Sequence, residues 1–482
     1  MSARMNMHPL RLALWAGKVA MVASRQLGRG GTAWPGRVAA AIDPDLLDHV
    51  ARLPRQGTVV VTGTNGKTTT ALLVHRIASR RGLRLIHNVA GANLPAGLLA
   101  AFIESAGWWR AEARDLAVLE VDEGAFPSVV GALRPKAVIV TNFFRDQLDR
   151  YGEVDGTVRR VREGIARAGE AVHWFICADD PLSVWLGEEA ASAGQRVTYF
   201  GVQRAPELPA PAGPSGARPP LSADGTQCVR CGTPYRYERL FYAQLGHYAC
   251  PNCGHRRPLP QVQGDVEQFG EDGAAVVGVS TPTGQLQLRL RLPGIHNVYN
   301  ALAAASAALA LDFGPDEIAQ GLEGASVPFG RTEEVWVRGR RVVLSLVKNP
   351  TSFDQVLATV APLRPWRCVA IALNDLAADG RDVSWIWDVD FEGRLVPRLP
   401  AGIPVICTGR RAADMAVRLK YAGVEVPRLV IETRLGEAIR QCLERATPDE
   451  PVWILATYTA MLSARKVLVS SGLPRLAPVT AG

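Results

Sequence analysis

A glycine-rich turn followed by a lysine and threonines is the segment of this chain best suited to chemistry. Residues 59–70 read Val-Val-Val-Thr-Gly-Thr-Asn-Gly-Lys-Thr-Thr-Thr, a β-branched strand that leads into a turn and then into a helix start. Backbone N–H groups of such a turn can surround phosphate oxygens, the lysine adds positive charge, and a hydroxyl at the helix N-terminus can bind Mg²⁺. The sequence therefore predicts an ATP site. Its phosphate-binding residues are predicted to be Gly63, Thr64, Asn65, Gly66, Lys67, Thr68 and Thr69.

The match is to a variant of the general P-loop. The general pattern places a glycine five positions before Gly66, where this chain has Val61. A generic GTPase or kinase is therefore a weaker interpretation. The alternative is that this segment binds no nucleotide and is an ordinary strand, turn and helix with a surface lysine. The two glycines and the Lys-Thr run disfavour this alternative.

Acidic and amide side chains follow two further strand-like runs. Residues 119–123 read Leu-Glu-Val-Asp-Glu, and residues 141–149 read Thr-Asn-Phe-Phe-Arg-Asp-Gln-Leu-Asp. Ligands of open α/β folds bind at the carboxyl ends of the strands. We therefore predict that Glu120 and Thr68 bind magnesium. A single carboxylate at such a place is more often a helix cap or a surface charge, so only their concentration after consecutive strands favours a site.

Four of the eight cysteines form two Cys-x-x-Cys pairs, each followed by glycine. Four thiolates at this spacing predict a closed tetrahedral zinc site, which has no place for an activated water and is therefore structural. Buried or redox thiols are the alternative. Arginines and aromatic residues surround the pairs, as in some nucleic-acid-binding ribbons, but such charge is usually solvated surface, and no nucleic-acid partner is expected. The predicted zinc ligands are Cys228, Cys231, Cys250 and Cys253.

Composition sets the broad class of protein. The 482 residues, of which 48% are hydrophobic, are enough for a large core and two to four domains. The net charge of +8 is compatible with an anionic substrate, an anionic membrane face or nucleic acid. Four unpaired cysteines beside the two Cys-x-x-Cys pairs fit a reducing compartment better than a disulfide framework. A cytoplasmic location is therefore predicted.

An apolar stretch near the start of the chain is interrupted by charge. Within residues 10–27, Arg11, Lys18 and Arg25 break the apolar run, and no small-residue cleavage site follows. The pattern predicts an amphipathic helix and not a signal peptide or a membrane span. Peripheral contact of this helix with the cytoplasmic face of a membrane is compatible with the sequence.

Strand-like and helical stretches alternate along most of the chain, which predicts an α/β fold with parallel sheets. A proline-rich linker at 205–220 leads into the four-cysteine insert, and a second break near 327–330 precedes another strand–helix series. We expect an N-terminal segment at 1–54 and a central domain at 55–327, with a zinc-ribbon insert at 221–260. A C-terminal Rossmann-like α/β domain is expected at 328–482.

Several segments together resemble the Mur ligase family, in order and across most of the chain. They are the P-loop, the run from Thr141 to Asp149, Ala-Asp-Asp-Pro at 178–181 and Gly-Ile-His-Asn-Val-Tyr-Asn at 294–300. The family makes amide bonds through acyl phosphates with ATP and Mg²⁺. The resemblance implies that Lys67 and its loop bind the ATP phosphates, that Asn297 and Asn300 approach the nucleotide, and that Arg331 reaches it across a hinge.

Two departures separate this chain from the members of the family that add amino acids. Those enzymes carry a histidine where this chain has Gln147, and a central-domain lysine that becomes carbamylated to hold a second metal. No lysine occurs between Lys136 and Lys348. A carbamate-bridged second metal is therefore chemically unavailable in the central domain.

The C-terminal part is similar to the MurT branch of the family. Residues 372–388 read Ala-Leu-Asn-Asp-Leu-Ala-Ala-Asp-Gly-Arg-Asp-Val-Ser-Trp-Ile-Trp-Asp, and residues 456–462 read Ala-Thr-Tyr-Thr-Ala-Met-Leu. This resemblance implies ATP-dependent amidation of the α-carboxylate of D-glutamate in the lipid II stem peptide during peptidoglycan synthesis. The alternatives are an amino-acid-adding ligase of the Mur or folylpolyglutamate type, and a zinc-ribbon scaffold with a vestigial P-loop.

Amidation needs ammonia, and glutamine is its natural source. The four unpaired cysteines lack the glycine-flanked turn that activated nucleophiles favour, so the glutaminase must be another chain. The resemblance implies a GatD-type subunit, whose catalytic histidine is oriented by an aspartate of this chain. Each candidate taken alone is more often a cap or turn residue. The leading candidates are Asp382 and Asp388, followed by Asp379 and Asp354.

Overall fold

The computed structural model describes most of the chain. The described residues are 7–27, 33–88, 91–108, 114–146, 154–206, 224–270, 273–325, 333–360, 368–447 and 451–470. Gln147, Asp149 and Arg331, most of the linker at 205–220 and the break at 327–330 lie outside the described residues.

A nine-stranded sheet contains the P-loop strand, β1, as the third strand from one edge. Its order is β11-β10-β9-β6-β5-β4-β1-β3-β2; the pairings from β2 to β9 are parallel, and β10 is antiparallel to both β9 and β11. The strands of this part of the chain are β1 (Thr58–Thr62), β2 (Leu85–His87), β3 (Leu116–Glu120), β4 (Ala137–Val140), β5 (His173–Cys177), β6 (Arg196–Arg204), β7 (Arg236–Tyr242), β8 (Leu245–Ala249), β9 (Val262–Phe269), β10 (Ala275–Thr281) and β11 (Gly284–Leu290).

Helices cover both faces of this sheet, because successive residues of its buried strands point to opposite sides. In β1, Val59 and Val61 enter one hydrophobic cluster and Val60 enters the other. The helices are α1 (Met7–Gln26), α2 (Trp34–Ile42), α3 (Leu46–Val50), α4 (Lys67–Arg80), α5 (Pro95–Ser105), α6 (Phe126–Leu133), α7 (Val154–Glu163), α8 (Ile165–Ala168), α9 (Pro181–Ser192), α10 (Ile295–Ala310) and α11 (Pro315–Glu323).

A second, six-stranded sheet forms the C-terminal part, in the order β12-β13-β17-β14-β15-β16. Only β12 is antiparallel to its neighbour. Its strands are β12 (Glu333–Val337), β13 (Arg340–Leu346), β14 (Cys368–Ala372), β15 (Val405–Thr408), β16 (Leu429–Ile431) and β17 (Val452–Ala456). Its helices are α12 (Pro350–Val360), α13 (Phe391–Arg394), α14 (Ala412–Tyr421), α15 (Leu435–Arg445) and α16 (Tyr458–Ser470).

The predicted α/β class with parallel sheets is confirmed, and two details differ. The sequence analysis did not predict β9 and β10, which extend the large sheet beyond the cysteine insert. It also treated the four unpaired cysteines as free thiols, which was wrong for two of them: the structure joins Cys368 and Cys442 in a disulfide. Strand β14 and helix α15 bring these buried side chains together across 74 residues of sequence, a proximity that spacing cannot reveal.

Candidate active site

The turn between β1 and α4 has the backbone conformation of a phosphate-binding loop. Gly63 and Gly66 have φ values of 112° and 91°, in the region that favours glycine. Space imposes the same requirement: a Cβ on Gly63 would lie 2.4 Å from Thr141 Oγ1, and one on Gly66 would lie 2.2 Å from Asn300 Oδ1. Any side chain at either position would collide with the residues that support the loop.

Asn142, at the end of β4, fixes the loop from the neighbouring strand. Its backbone carbonyl accepts from Thr64 N at 2.8 Å, and its Oδ1 accepts from Asn65 N at 3.0 Å. Its Nδ2 donates to the Asn65 carbonyl at 3.1 Å. Because one side chain satisfies several loop groups, the loop is held in place independently of any ligand.

Lys67, the first residue of α4, is buried and paired with a carboxylate. Its Nζ lies 2.9 Å from Glu123 Oε2 and donates to the Thr64 carbonyl at 3.2 Å. Burial alone lowers the pKa of Lys67, but Glu123 and two neighbouring carboxylates outweigh it, so the pKa ends above its usual value. Burial raises the pKa of Glu123, but the ammonium groups of Lys67 and Lys348 outweigh it, so this pKa ends below its usual value. Both groups therefore keep their charges around neutral pH.

Thr68 and Glu120 lie side by side beneath the loop. The Thr68 hydroxyl donates to Glu120 Oε2 at 2.8 Å, and Asn93 Nδ2 donates to Glu120 Oε1 at 3.3 Å. Asn88 holds the Glu120 backbone through hydrogen bonds of 2.8 and 2.9 Å. A hydroxyl and a carboxylate at the foot of a phosphate loop are the hard oxygen ligands that Mg²⁺ prefers, so these residues fit a magnesium site.

Asn297 and Asn300 begin helix α10 behind the P-loop. Asn300 Oδ1 accepts from the Thr70 hydroxyl at 3.3 Å, and Asn300 Nδ2 donates to Asn297 Oδ1 at 3.0 Å. Asn297 is tied in turn to the Pro293 carbonyl at 2.8 Å. Both asparagines therefore support the loop from below.

A lysine of the C-terminal part reaches the same loop. Lys348 Nζ donates to the Thr64 carbonyl at 3.3 Å and forms an ion pair with Asp146. The next residue, Asn349, donates to Asn65 Oδ1 at 3.2 Å. Two cationic side chains from different sheets thus meet at one glycine-rich turn, where they can bind the terminal phosphate groups of a nucleotide.

The four paired cysteines form one cluster. Their Sγ atoms all lie within 4.8 Å of one another, and the Cys228–Cys253 and Cys231–Cys250 sulfur pairs are 3.4 and 3.5 Å apart. Thiolates that share a zinc ion at about 2.3 Å lie roughly 3.8 Å from each other. The cluster therefore fits a zinc ion with four sulfur ligands.

The ribbon around this cluster also contacts the active-site edge of the large sheet. Gln244, in the turn between β7 and β8, is fully buried and donates to the Phe143 carbonyl at 2.7 Å. Asp224 accepts from the backbone N–H of Arg145 at 2.6 Å. The segment after β4, which carries the loop-fixing Asn142, is therefore braced by the ribbon.

The aspartate candidates have different surroundings. Both oxygens of Asp379 are engaged by Thr459 at the start of α16, at 2.7 and 2.5 Å. Asp388 forms an ion pair of 2.7 Å with Arg145 of the large-sheet part. Asp354 is buried and accepts from Asp390 N at 2.9 Å.

Asp382 lies on the rim of a surface groove of about 480 Å³. Its Oδ1 accepts at 2.8 Å from the backbone N–H of Ser384, the first residue of the short 3₁₀ helix Ser384–Asp388. Exposed apolar side chains, Trp387 and Val417, line the same groove. Among the described aspartates of the Asp-Gly-Arg-Asp run, Asp382 is the one that borders this groove.

The sequence analysis did not identify several residues of this site. It did not assign a role to Glu123, the ion-pair partner of Lys67, although the acidic run after β3 contained it. Asn93 carried no signal at all. Lys348 entered only as the end of a lysine-free interval, because nothing local indicates that it approaches a loop 284 residues earlier.

Comparisons with known proteins agree with these observations. The pattern of the family described as "Mur ligase middle domain" matches residues 61–209, and that of "MurT ligase C-terminal" matches residues 346–461. The chain is 32% identical over 433 residues to "Lipid II isoglutaminyl synthase (glutamine-hydrolyzing) subunit MurT" of Staphylococcus aureus, covering 90% of this chain and 92% of that protein. It is 31% identical to the subunit of the same name from Streptococcus pneumoniae, covering 96% and 98%.

A solved structure shows the same fold. The pseudomurein peptide ligase type C of Methanothermus fervidus superposes with a TM-score of 0.65 at 20% identity, covering 89% of this chain and 81% of that one.

Proposed function

This chain belongs to the MurT family of Mur-type ligases, and from that membership and the site geometry we propose its reaction. It is the ligase subunit of a lipid II isoglutaminyl synthase, which amidates a stem-peptide carboxylate in peptidoglycan synthesis. We propose further that the substrate group is the α-carboxylate of D-glutamate, that the product is D-isoglutamine, and that the intermediate is an acyl phosphate.

The observation that carries the proposal is the meeting of Lys67, Glu123 and Lys348 at the glycine-rich turn. A phosphoryl group in transfer carries negative charge on its peripheral oxygens, so cations fixed around it stabilise the transition state. Lys67 is held from the large-sheet part and Lys348 from the C-terminal part. A ligase needs such a site to activate a carboxylate, since oxide is not a leaving group.

The residues of the loop receive the roles that the P-loop pattern suggests. Backbone N–H groups and Lys67 bind the ATP phosphates, while Asn297 and Asn300, which lie behind the loop, approach the nucleotide. Thr68 and Glu120 would hold Mg²⁺, which supplies charge compensation to the phosphates when bound. The assigned nucleotide-binding residues are Gly63, Thr64, Asn65, Gly66, Lys67, Thr68, Thr69, Asn297, Asn300 and Arg331.

The chemistry balances in two steps. A carboxylate oxygen attacks the γ-phosphorus of ATP, the bond to the bridging oxygen breaks, and ADP leaves with the electron pair. The lone pair of ammonia then attacks the acyl carbon, phosphate departs and a proton is lost, which gives the amide. Ammonia must arrive unprotonated, so a supply shielded from bulk water favours the second step.

A glutaminase subunit of the GatD type supplies the ammonia in this proposal, and Asp382 orients its catalytic histidine. Three observations favour Asp382 over the other candidates. Both oxygens of Asp379 already accept hydrogen bonds from Thr459, and Asp388 forms an ion pair with Arg145. Asp354 is buried. The groove beside Asp382, with exposed Trp387 and Val417, offers an apolar surface for the partner.

The remaining assignments concern the zinc ion, the domain boundaries and the location of the protein. We propose a structural zinc ion on Cys228, Cys231, Cys250 and Cys253, and a division into segments 1–54, 55–327 and 328–482 with the ribbon at 221–260. The proposed location is the cytoplasm, at the inner membrane face where a lipid-linked substrate is found. Among the described helices, none is long and apolar enough to cross a membrane.

The test is reconstitution with the partner subunit, ATP, glutamine and lipid II. We expect ADP, glutamate and amidated product in equal amounts, and we expect Lys67→Ala to reduce all amidation by about a hundredfold or more. Lys136→Ala, which removes an exposed lysine of the same part, is the matched control and should retain activity. Product formed without ATP would contradict the proposal. Incorporation of an amino acid in place of ammonia would support the amino-acid-adding alternative.

A further inference from the structure

Helix α1 has apolar side chains on two opposite faces. One face, which includes Leu10, Leu14 and Met21, is buried in the core cluster that also contains residues of α5. The other face is exposed, and its residues follow at spacings of three and four, so they form one stripe. The members of this stripe are Leu12, Trp15, Val19 and Val22, which are 56%, 47%, 41% and 42% exposed.

Basic residues run along one edge of this stripe. Arg11, Lys18 and Arg25 recur every seven residues, which places them in a row beside the apolar side chains. Arg25 is paired with Glu104 of α5, whereas α1 itself contains no acidic residue. The first acidic residue of the whole chain is Asp43. The row therefore presents net positive charge next to an exposed apolar surface.

Two further exposed tryptophans lie next to helix α1. Trp108 lies beside α1, with Lys18 Nζ 5.5 Å from the centre of its ring, and Trp34 begins α2, which packs against α1. They are 47% and 50% exposed. Tryptophans with one exposed edge, beside basic groups, are typical of surfaces that lie in the headgroup region of a bilayer.

We propose that the stripe Leu12, Trp15, Val19 and Val22, with its basic row, docks in the plane of an anionic membrane surface. The charge favours this occupant over a second copy of the chain, because two such faces would repel each other. This inference rests on the proposed function: a prenyl-linked substrate stays in the bilayer, so its peptide must reach the ATP site from there.

The position of the stripe suits such a substrate. Helix α5 lies between α1 and the magnesium ligands, since it begins two residues after Asn93, which contacts Glu120. Its 11 residues span about 16 Å, and packed helices lie about 9 Å apart. Together these lengths put the docked face on the order of 25 Å from the magnesium ligands.

The test is sedimentation of the full chain, alone and in complex with its partner, with vesicles. One set contains phosphatidylglycerol and phosphatidylcholine, the other phosphatidylcholine alone, and neither contains ATP or substrate. We expect binding to the anionic vesicles that weakens with salt. The double change Trp15→Glu with Val19→Glu should weaken it about tenfold or more, and Arg11→Glu should weaken it less. The control is Trp336→Glu, which changes an exposed tryptophan on β12 and should bind like the native chain.

Equal binding by the double variant and the Trp336 variant would overturn the proposal, as would equal binding to both vesicle types. If instead the native chain is a dimer, the double variant is a monomer and neither binds vesicles, the stripe is a contact between two copies and the proposal fails. All variants should amidate a water-soluble short-chain substrate at the native rate, which also reports that they are folded. If neither the native chain nor any variant amidates that substrate, the proposed function is contradicted. The vesicle-binding result would still decide the membrane proposal by itself.

Discussion

The ion pair between Lys67 and Glu123 is almost fully enclosed, and this makes each partner depend on the other. Glu123→Gln would leave the ammonium buried without its closest carboxylate, a change that typically costs about 3 kcal/mol of unfolding free energy. We expect that loss in denaturant titrations of the nucleotide-free chain. Saturating MgATP should restore part of it, because the phosphates supply the missing negative charge, so the variant should gain more stability from MgATP than the native chain does.

Glu163→Gln is the matched control for this experiment, since Glu163 is an exposed residue of α7. It should change the unfolding free energy by no more than about 0.5 kcal/mol. Equal stability losses for the two variants would show that Glu123 is not the counter-charge of Lys67.

For Lys348 we predict an effect on the amidation rate and not on the free energy of unfolding. Its ammonium is half-buried, donates to the Thr64 carbonyl of the P-loop and pairs with Asp146. We expect Lys348→Met to lower the ATP-dependent amidation rate by about a hundredfold, because it removes a cation from the transition state. Lys466→Met, which removes an exposed lysine of α16, is the control and should leave the rate unchanged. A Lys348 variant with a normal rate would limit this residue to holding Asp146.

Local sequence patterns predicted the candidate-site residues of the strand–turn–helix unit and of the end of β3, and the family resemblance added Asn297 and Asn300. Neither identified Lys348 or the pairing of Glu123. Lys67 and Thr68 follow from the loop pattern, and Glu120 follows from its place at the end of a strand. Lys348 could not be predicted, because its approach to Thr64 depends on how two sheets pack. Glu123 was visible as an acidic residue, but its partner becomes evident only in the folded structure.

At the scale of elements, the four-cysteine ribbon contacts the segment next to the candidate active site through Gln244 and Asp224. These residues contact the segment after β4, and that segment carries the Asn142 contacts to the P-loop. We expect a strong chelator, or the double change Cys231→Ser with Cys253→Ser, to release one zinc ion per chain. Backbone amides of residues 143–146 should then exchange with deuterium faster, and the Kd for ATP should rise about tenfold.

Metal content is measured by mass spectrometry, and exchange is followed on the intact chain. Zn²⁺ should restore the chelated native protein, whereas Mg²⁺ should not, because four thiolates select the softer ion. Gln244→Leu should raise exchange at residues 143–146 while the zinc content stays at one. Zinc loss without any change in those amides would show that the ribbon does not brace the loop.

The spacing of the cysteines was enough to predict the ribbon as an element, but its position in the fold was not predictable from the sequence. A metal ligand set is local, whereas the contact of Gln244 with the Phe143 carbonyl joins residues that are 101 positions apart. The same limit applies to the disulfide between Cys368 and Cys442 and to the pairing of β9 with β6. In each case the decisive contact is between distant parts of the chain.

At the scale of the whole molecule, contacts between described residues join the two sheet-containing parts of the chain around the loop. They include Lys348 with Thr64 and Asp146, Asn349 with Asn65, and Arg145 with Asp388. The last of these connects the segment after β4 to the 3₁₀ helix that follows Asp382. The ATP site and the proposed partner surface are therefore separated by one ion pair and one turn of helix.

This arrangement separates the roles of the two leading aspartates. If Asp382 orients the histidine of the partner, Asp382→Asn should reduce glutamine-dependent amidation by the complex at least about a hundredfold. Ammonium chloride should restore most of the amidation rate, because the P-loop is unchanged; Asp382 also lines a small pocket with Asp146 and Lys348, so full recovery is not required. Asp388→Asn breaks the pair with Arg145 and should lower amidation with either nitrogen source. The control is Asp414→Asn, which removes a charge from the same groove and should retain glutaminase activity. Loss of glutamine hydrolysis in the Asp388 variant, with retention in the Asp382 variant, would transfer the proposed role to Asp388.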